Sequence, residues 1–148
     1  MDRYAHCLFC DEIRQEINQK LLFLGVYSND LIVPGDVPVN LPKLAIVVWV
    51  VTSRNDPFDQ ITIRVTRPGQ EDAEFEVPTP PGELPDPPSF NDGSGPAAKT
   101  IVANAFLEFS PFEFSQEGEI TVHVETGRET LVAGSLRLRT SPPKDMVR

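Results

Sequence analysis

The stretch Leu41-Pro-Lys-Leu-Ala-Ile-Val-Val-Trp-Val-Val51 decides the fold class. It is β-branched and nearly uncharged, with Pro42 at its start and Asn55-Asp56-Pro57 beyond its end. A half-exposed strand alternates apolar with polar residues, and this run does not. The pattern predicts a strand over about Lys43–Thr52, buried on both faces at the centre of a two-layer β core. The run is far shorter than the roughly 18 apolar residues of a membrane-spanning helix.

On the C-terminal side, Ile61, Ile63 and Val65 alternate with Thr62, Arg64 and Thr66, as in a strand with one wet face. Pro68-Gly69 marks a turn, and Ala73, Phe75 and Val77 continue the alternation, so Gln60–Val77 is expected to be a hairpin. A Pro-rich connection follows, from Pro78 to Pro96, which cannot form ladder hydrogen bonds or a helix. Ala98–Phe109 resumes the strand pattern, with Ile101, Ala103, Ala105, Leu107 and Phe109 on one face. Phe106, Phe109, Phe112 and Phe114 are expected to close one end of the core. Gly118–Thr140 predicts a second hairpin, turning at Thr126-Gly127-Arg128-Glu129, with a bulge at Gly134-Ser135. Residues 141–148 are expected to form a loose tail.

On the N-terminal side, Tyr4–Ile13 and Leu21–Tyr27 flank a polar break at Gln15–Lys20 and predict an antiparallel hairpin. A helix over Cys10–Leu22 is the alternative, because Ile13 and Ile17 stand at helical spacing among good helix formers. Leu31–Val33 reads as a short edge piece. The expected fold is therefore all-β, an antiparallel two-sheet β-sandwich of about eight strands, immunoglobulin-like or C2-like. It is expected to form one domain over residues 1–140.

Composition narrows the function. The chain has 148 residues, enough for a core without metal or disulfide support, and a net charge of −9. That acidity, with a pI near 4.6, argues against nucleic acid and anionic membranes as partners. The start Met-Asp-Arg-Tyr-Ala-His does not resemble a secretory leader, and Cys7 and Cys10 make no disulfide framework. A cytoplasmic protein of a bacterium or phage is expected.

Side chains with chemical potential are sparse. His6, Cys7, Cys10, Asp11 and Glu12 form the densest cluster. On a strand, however, Cys7 and Cys10 point to opposite faces, so two small buried thiols are the simpler reading. Neither a nucleophile elbow nor a phosphate-binding loop is present; Gly93-Ser94-Gly95 lacks the required Lys. Asp56, Asp59, Asp86 and Asp92 lack calcium-loop spacing and read as solvated carboxylates. Pro78-Thr-Pro-Pro81 and Pro85-Asp-Pro-Pro88 have the spacing of polyproline ligands, but a stiff spacer explains them more simply.

Phe9-Cys10-Asp11-Glu12-Ile13-Arg14, Leu24-Gly25-Val26-Tyr27 and Leu41-Pro-Lys-Leu44 together resemble a family of small uncharacterised bacterial proteins, a domain of unknown function. Where that family is expected to have a Gly-Lys turn, this chain has Gln19-Lys20. The resemblance implies no activity and no catalytic residue. The segment from Gly118 through Leu138 also resembles the final hairpin of immunoglobulin-like sandwiches, a likeness of fold that is silent on role.

The resulting expectation is a non-catalytic protein-interaction or assembly module, binding a protein partner or itself, with no cofactor or metal. Its candidate contacts are Tyr27 together with Pro80, Pro81, Leu84, Pro87 and Phe90 of the Pro-rich loop. Two rivals are a metal-dependent hydrolase using His6, Asp11 and Glu12, and a small-ligand-binding sandwich with a pocket between its sheets near Trp49.

Overall fold

The apolar run becomes β6 (Leu44–Ser53), the middle strand of a three-stranded sheet between β1 (Tyr4–Cys10) and β9 (Thr100–Phe109). The computed structural model describes residues 3–78 and 100–141. Both pairings of β6 are antiparallel, and Val48 stands opposite Cys7 on one side and Ala105 on the other. Leu44, Ile46, Val48 and Val50 enter the core, while Ala45, Val47 and Val51 are buried on the opposite face. The unbroken apolar pattern thus reflects cover on two sides, as expected.

The second layer has five strands in the order β4 (Asp30–Pro34), β12 (Thr130–Ser141), β11 (Gly118–Glu125), β7 (Ile61–Thr66) and β8 (Ala73–Val77). Leu31, Ile63, Val65, Ile120, Val122, Val124, Leu136 and Leu138 line its inner face and meet the inner face of the first sheet. Burying that apolar area on both layers is what holds the sandwich together. The hairpins β7–β8 and β11–β12 form as their alternation predicts. Placing β1, β6 and β9 in one layer and β7, β11 and β12 in the other reproduces immunoglobulin strand order. In that comparison β8 extends the second sheet and β4 is added to the last strand.

Four expectations about the strands need correction. The described residues hold twelve strands rather than about eight, because two small pairs accompany the eight strands of the main sheets. One pairing is parallel, β4 on β12, so the sandwich is not wholly antiparallel. The first apolar run is not one element: it breaks at Asp11, where β1 stays with β6. Beyond it, β2 (Glu12–Gln15) pairs with β3 (Leu21–Leu24) in a hairpin of its own. That hairpin replaces the alternative helix, and only a short 3₁₀ turn, Ile17–Gln19, lies at its tip. Finally, the bulge in β12 is at Ala133, between Gly134 opposite Val122 and Val132 opposite His123, one residue before the expected position.

The second small pair, β5 (Val39–Leu41) with β10 (Phe112–Phe114), continues the β6–β9 ladder past a break at Pro42-Lys43 and Ser110-Pro111. The Ser110 hydroxyl donates to the Pro42 carbonyl at 3.2 Å across that break. Phe109, Phe112 and Phe114 pack there in sequence, the first pair edge-to-face at 5.9 Å and the second tilted at 6.2 Å, and close the end of the core. Phe106 does not join them. Strand parity turns it to the outer face, where it is 48% exposed.

Candidate interaction surface

The outer face of the β1–β6–β9 sheet carries the least expected arrangement in the molecule. Register places Tyr4, His6 and Leu8 of β1 beside Val51, Trp49 and Val47 of β6, and Asn104 and Phe106 of β9 on the other side. The His6 and Trp49 rings stack at 4.9 Å, Tyr4 lies 6.2 Å beyond His6, and Phe23 of β3 meets Trp49 edge-on at 6.1 Å. Tyr4, His6, Trp49 and Phe23 therefore form an aromatic ladder across this face. Each well-placed aromatic pair adds about 0.5–1.5 kcal/mol beyond its buried area.

The β2–β3 hairpin acts as a flap over part of the face. It leaves a groove of about 410 Å³, bordered by Ile13, Gln15, Leu21, Asn104, Phe106 and Glu108. Lys43 tethers the base of the flap, with its Nζ 2.6 Å from Glu108 and 3.9 Å from Glu12. The hydrogen bond to Glu108 raises the Lys43 pKa above the ordinary lysine value. At the tip, the Glu16 N–H donates to the Lys20 carbonyl at 2.6 Å, and both Asn18 and Gln19 have positive φ, 68° and 62°. Asn adopts that region more readily than Gln, for which it is strained. The strain falls where a glycine was expected.

At the flap's root, the Asp11 N–H donates to the Leu24 carbonyl at 2.9 Å, and the Tyr27 N–H donates to the Phe9 carbonyl at 2.8 Å. The Tyr27 hydroxyl donates to the Asp11 carboxylate. Burial first, then this bond, pushes the Tyr27 pKa up. Tyr27 thus borders a shallow groove of about 440 Å³ with Asp11, Glu12, Leu41, Pro42 and Lys43, while its hydroxyl ties it to the flap. The other expected contacts, Pro80, Pro81, Leu84, Pro87 and Phe90, lie outside the described residues, as do the rest of the Pro-rich loop beyond Pro78 and residues 142–148.

The N-terminal polar cluster does not converge. His6 stacks on Trp49, Asp11 accepts from Tyr27, and Glu12 pairs with Lys43 and with Arg14 at 3.3 Å. Cys7 points inward and Cys10 outward by strand parity, and burial raises the pKa of both thiols, Cys7 to about 12. Among the described residues, no three His, Cys, Asp or Glu side chains gather in a group that would hold a metal. Trp49 likewise lies on the outer face rather than in a pocket between the sheets, because Val48 and Val50 occupy the inner positions.

Exposed apolar side chains lie in the ladder, on its face and at the flap tip: Tyr4 is 51% exposed, Val102 54% and Ile17 85%. Of this surface, the sequence reading identified only Tyr27, at the edge. Trp49 reads there as packing and Phe106 as core, and His6 enters only through the rival hydrolase. The alternation Tyr4, His6, Leu8 was visible, but its link to Trp49 and Phe106 depends on register.

The profile of DUF6941, described as a family of unknown function, matches residues 5–139. The chain belongs to DUF6941. The matched range takes in both sheets of the sandwich and the flap, so the family relationship extends well beyond the N-terminal motifs that suggested a domain of unknown function. No curated protein and no solved structure matches this DUF6941 chain. Among its described residues, no helix is long and apolar enough to cross a membrane.

Proposed function

We propose that this protein is a non-catalytic protein-interaction module that receives a protein partner on the outer face of its three-stranded sheet. The observation carrying the proposal is the aromatic ladder Tyr4–His6–Trp49–Phe23, with Val102 and Phe106 exposed on the same face and Ile17 exposed at the flap tip. Aromatic anchors set among aliphatic contacts are the usual composition of an interface centre. Grouped apolar exposure of this kind commonly marks a binding surface. A cytoplasmic site in a bacterium belongs to the same reading and is supported by the free thiols of Cys7 and Cys10.

The test is a pull-down from native-host extract using wild-type protein and a Tyr4→Ser/Ile17→Ser variant. Both positions are exposed, so the variant keeps its circular dichroism and melts lower only by what loss of the Tyr4–His6 ring contact removes. Partner capture by the wild type and its loss in the variant support the reading. Equal capture by both, or no partner for either, refutes it.

A further inference from the structure

The edge strands of the two sheets are not equally defended. Unpaired edge N–H and C=O groups invite another strand, and proteins discourage this with charge, proline or cover. β4 is short, ends at Pro34 and begins at Asp30, whose carboxylate lies 2.8 Å from Arg137 Nε. β8 presents the exposed carboxylates Glu74 and Glu76. β1 is bridged by Tyr27 at Phe9 and runs close to β12. Among the described residues, β9 has none of these defences. It is ten residues long, reads Thr-Ile-Val-Ala-Asn-Ala-Phe-Leu-Glu-Phe, and among the described residues pairs only with β6. Its one charge, Glu108, is already 2.6 Å from Lys43 Nζ.

We infer that β9 is a homodimerisation edge, pairing antiparallel with β9 of a second copy about a two-fold axis at Asn104. An isologous contact must be self-complementary, and this strand is so in one register. With Asn104 opposite its own copy, Val102 faces the partner copy's Phe106 on the outer side, twice by symmetry. On the inner side Ile101 faces the copy of Leu107, and Ala103 the copy of Ala105. Cross-strand aromatic–β-branched pairs are favourable, and like charges opposite each other are not. In this register each Glu108 lies opposite Thr100, keeping the two carboxylates at opposite ends of the contact. A two-residue shift centred on Ala105 would instead set Glu108 against Val102 and Phe106 against Asn104.

Net charge opposes self-association in general, and β9 is a place where a second copy can meet the chain without that penalty. The chain carries a net charge of −9, so most symmetric contacts between copies would bring acidic surfaces together. β9 avoids this. The resulting six-stranded sheet would join the two outer faces through their Val102–Phe106 contacts, giving the partner of the interaction-module reading one doubled surface. The inference rests on that reading only in this last consequence.

The test combines sedimentation with hydrogen exchange on the full chain over a wide concentration range. The expected result is a reversible dimer whose β9 amides gain protection as concentration rises. Asn104→Lys, at an exposed position, places like charges on the axis and weakens the dimer by at least about tenfold. Asn104→Asp does the same, and an equimolar mixture of the two variants restores association. A wild type that is monomeric throughout overturns the inference, as does a dimer indifferent to Asn104→Lys. So do β9 amides equally protected at every concentration, which would mean the chain itself covers the edge. Because the pull-down uses Tyr4 and Ile17, either proposal can fail without the other.

Discussion

Gly134 offers the sharpest test of how the two sheets meet. A Cβ added there would lie 2.7 Å from Cys7 Sγ across the sandwich, about an ångström inside the usual contact distance. Overpacking of this kind costs about 1–3 kcal/mol, so Gly134→Ala is expected to destabilise by that amount. Cys7→Ala removes the sulfur and costs about 1 kcal/mol through lost packing. In the double variant the new methyl enters the space the sulfur vacated. Its total cost is expected to stay at about 1 kcal/mol, a coupling of about 1–3 kcal/mol between sites far apart in sequence. Urea unfolding measures all four proteins, and the effect should appear as shifts of midpoint at constant slope. If the two substitutions add to within about 0.3 kcal/mol, or Gly134→Ala is neutral, the proposed contact between β1 and β12 is wrong.

Other expectations follow from the flap, the thiols and the surface carboxylates. Gln19→Gly relieves the positive φ at the flap tip; after the extra unfolded-state entropy of glycine it should stabilise by about 0.5 kcal/mol, with slower amide exchange in β2 and β3. Burial raises Cys7 from an ordinary 9.0 to about 12. Its neutral form is favoured in the fold, so its contribution is complete below pH 9.0 and is lost as pH rises toward about 12, a decline that Cys7→Ala should reduce. Cys7 should also resist alkylation at neutral pH until the protein unfolds, as followed by mass spectrometry. Asp56 is held below the ordinary carboxylate value, first by the hydrogen bond from Arg128 and then by the Arg128 and Arg3 charges. Glu117 is lowered first by the Thr140 hydroxyl and then by the Thr140 N–H. Both contributions are present above the ordinary carboxylate range and disappear as pH falls through the lowered native values. Asp56→Asn and Glu117→Gln should therefore flatten the acid limb of stability against pH.

The elements readable in advance were those whose periodicity local burial imposes. Leu44–Val51 lacks polar alternation because the core covers one face and the outer-face side chains and flap cover part of the other. Ile61, Ile63 and Val65 alternate because only one side of β7 meets the core. The break at Asp11 was hidden because Tyr4–Ile13 keeps its strand character through the residue where its partner changes from β6 to β3. Phe106 was misplaced because aromatic clustering was given more weight than parity, which sets it opposite Val47 on the outer face.

The sequence by itself determined the all-β class, the central strand and the two later hairpins, since each is a property of a few neighbouring residues. Tertiary structure alone decided that β4 runs parallel to β12 and that His6, Trp49 and Phe23 form a ladder. It also decided that, among the described residues, β9 stands at an edge. Those are facts of register and layer, set by which strands bury one another's faces. The same side chains read identically in any register, so no local pattern encodes them.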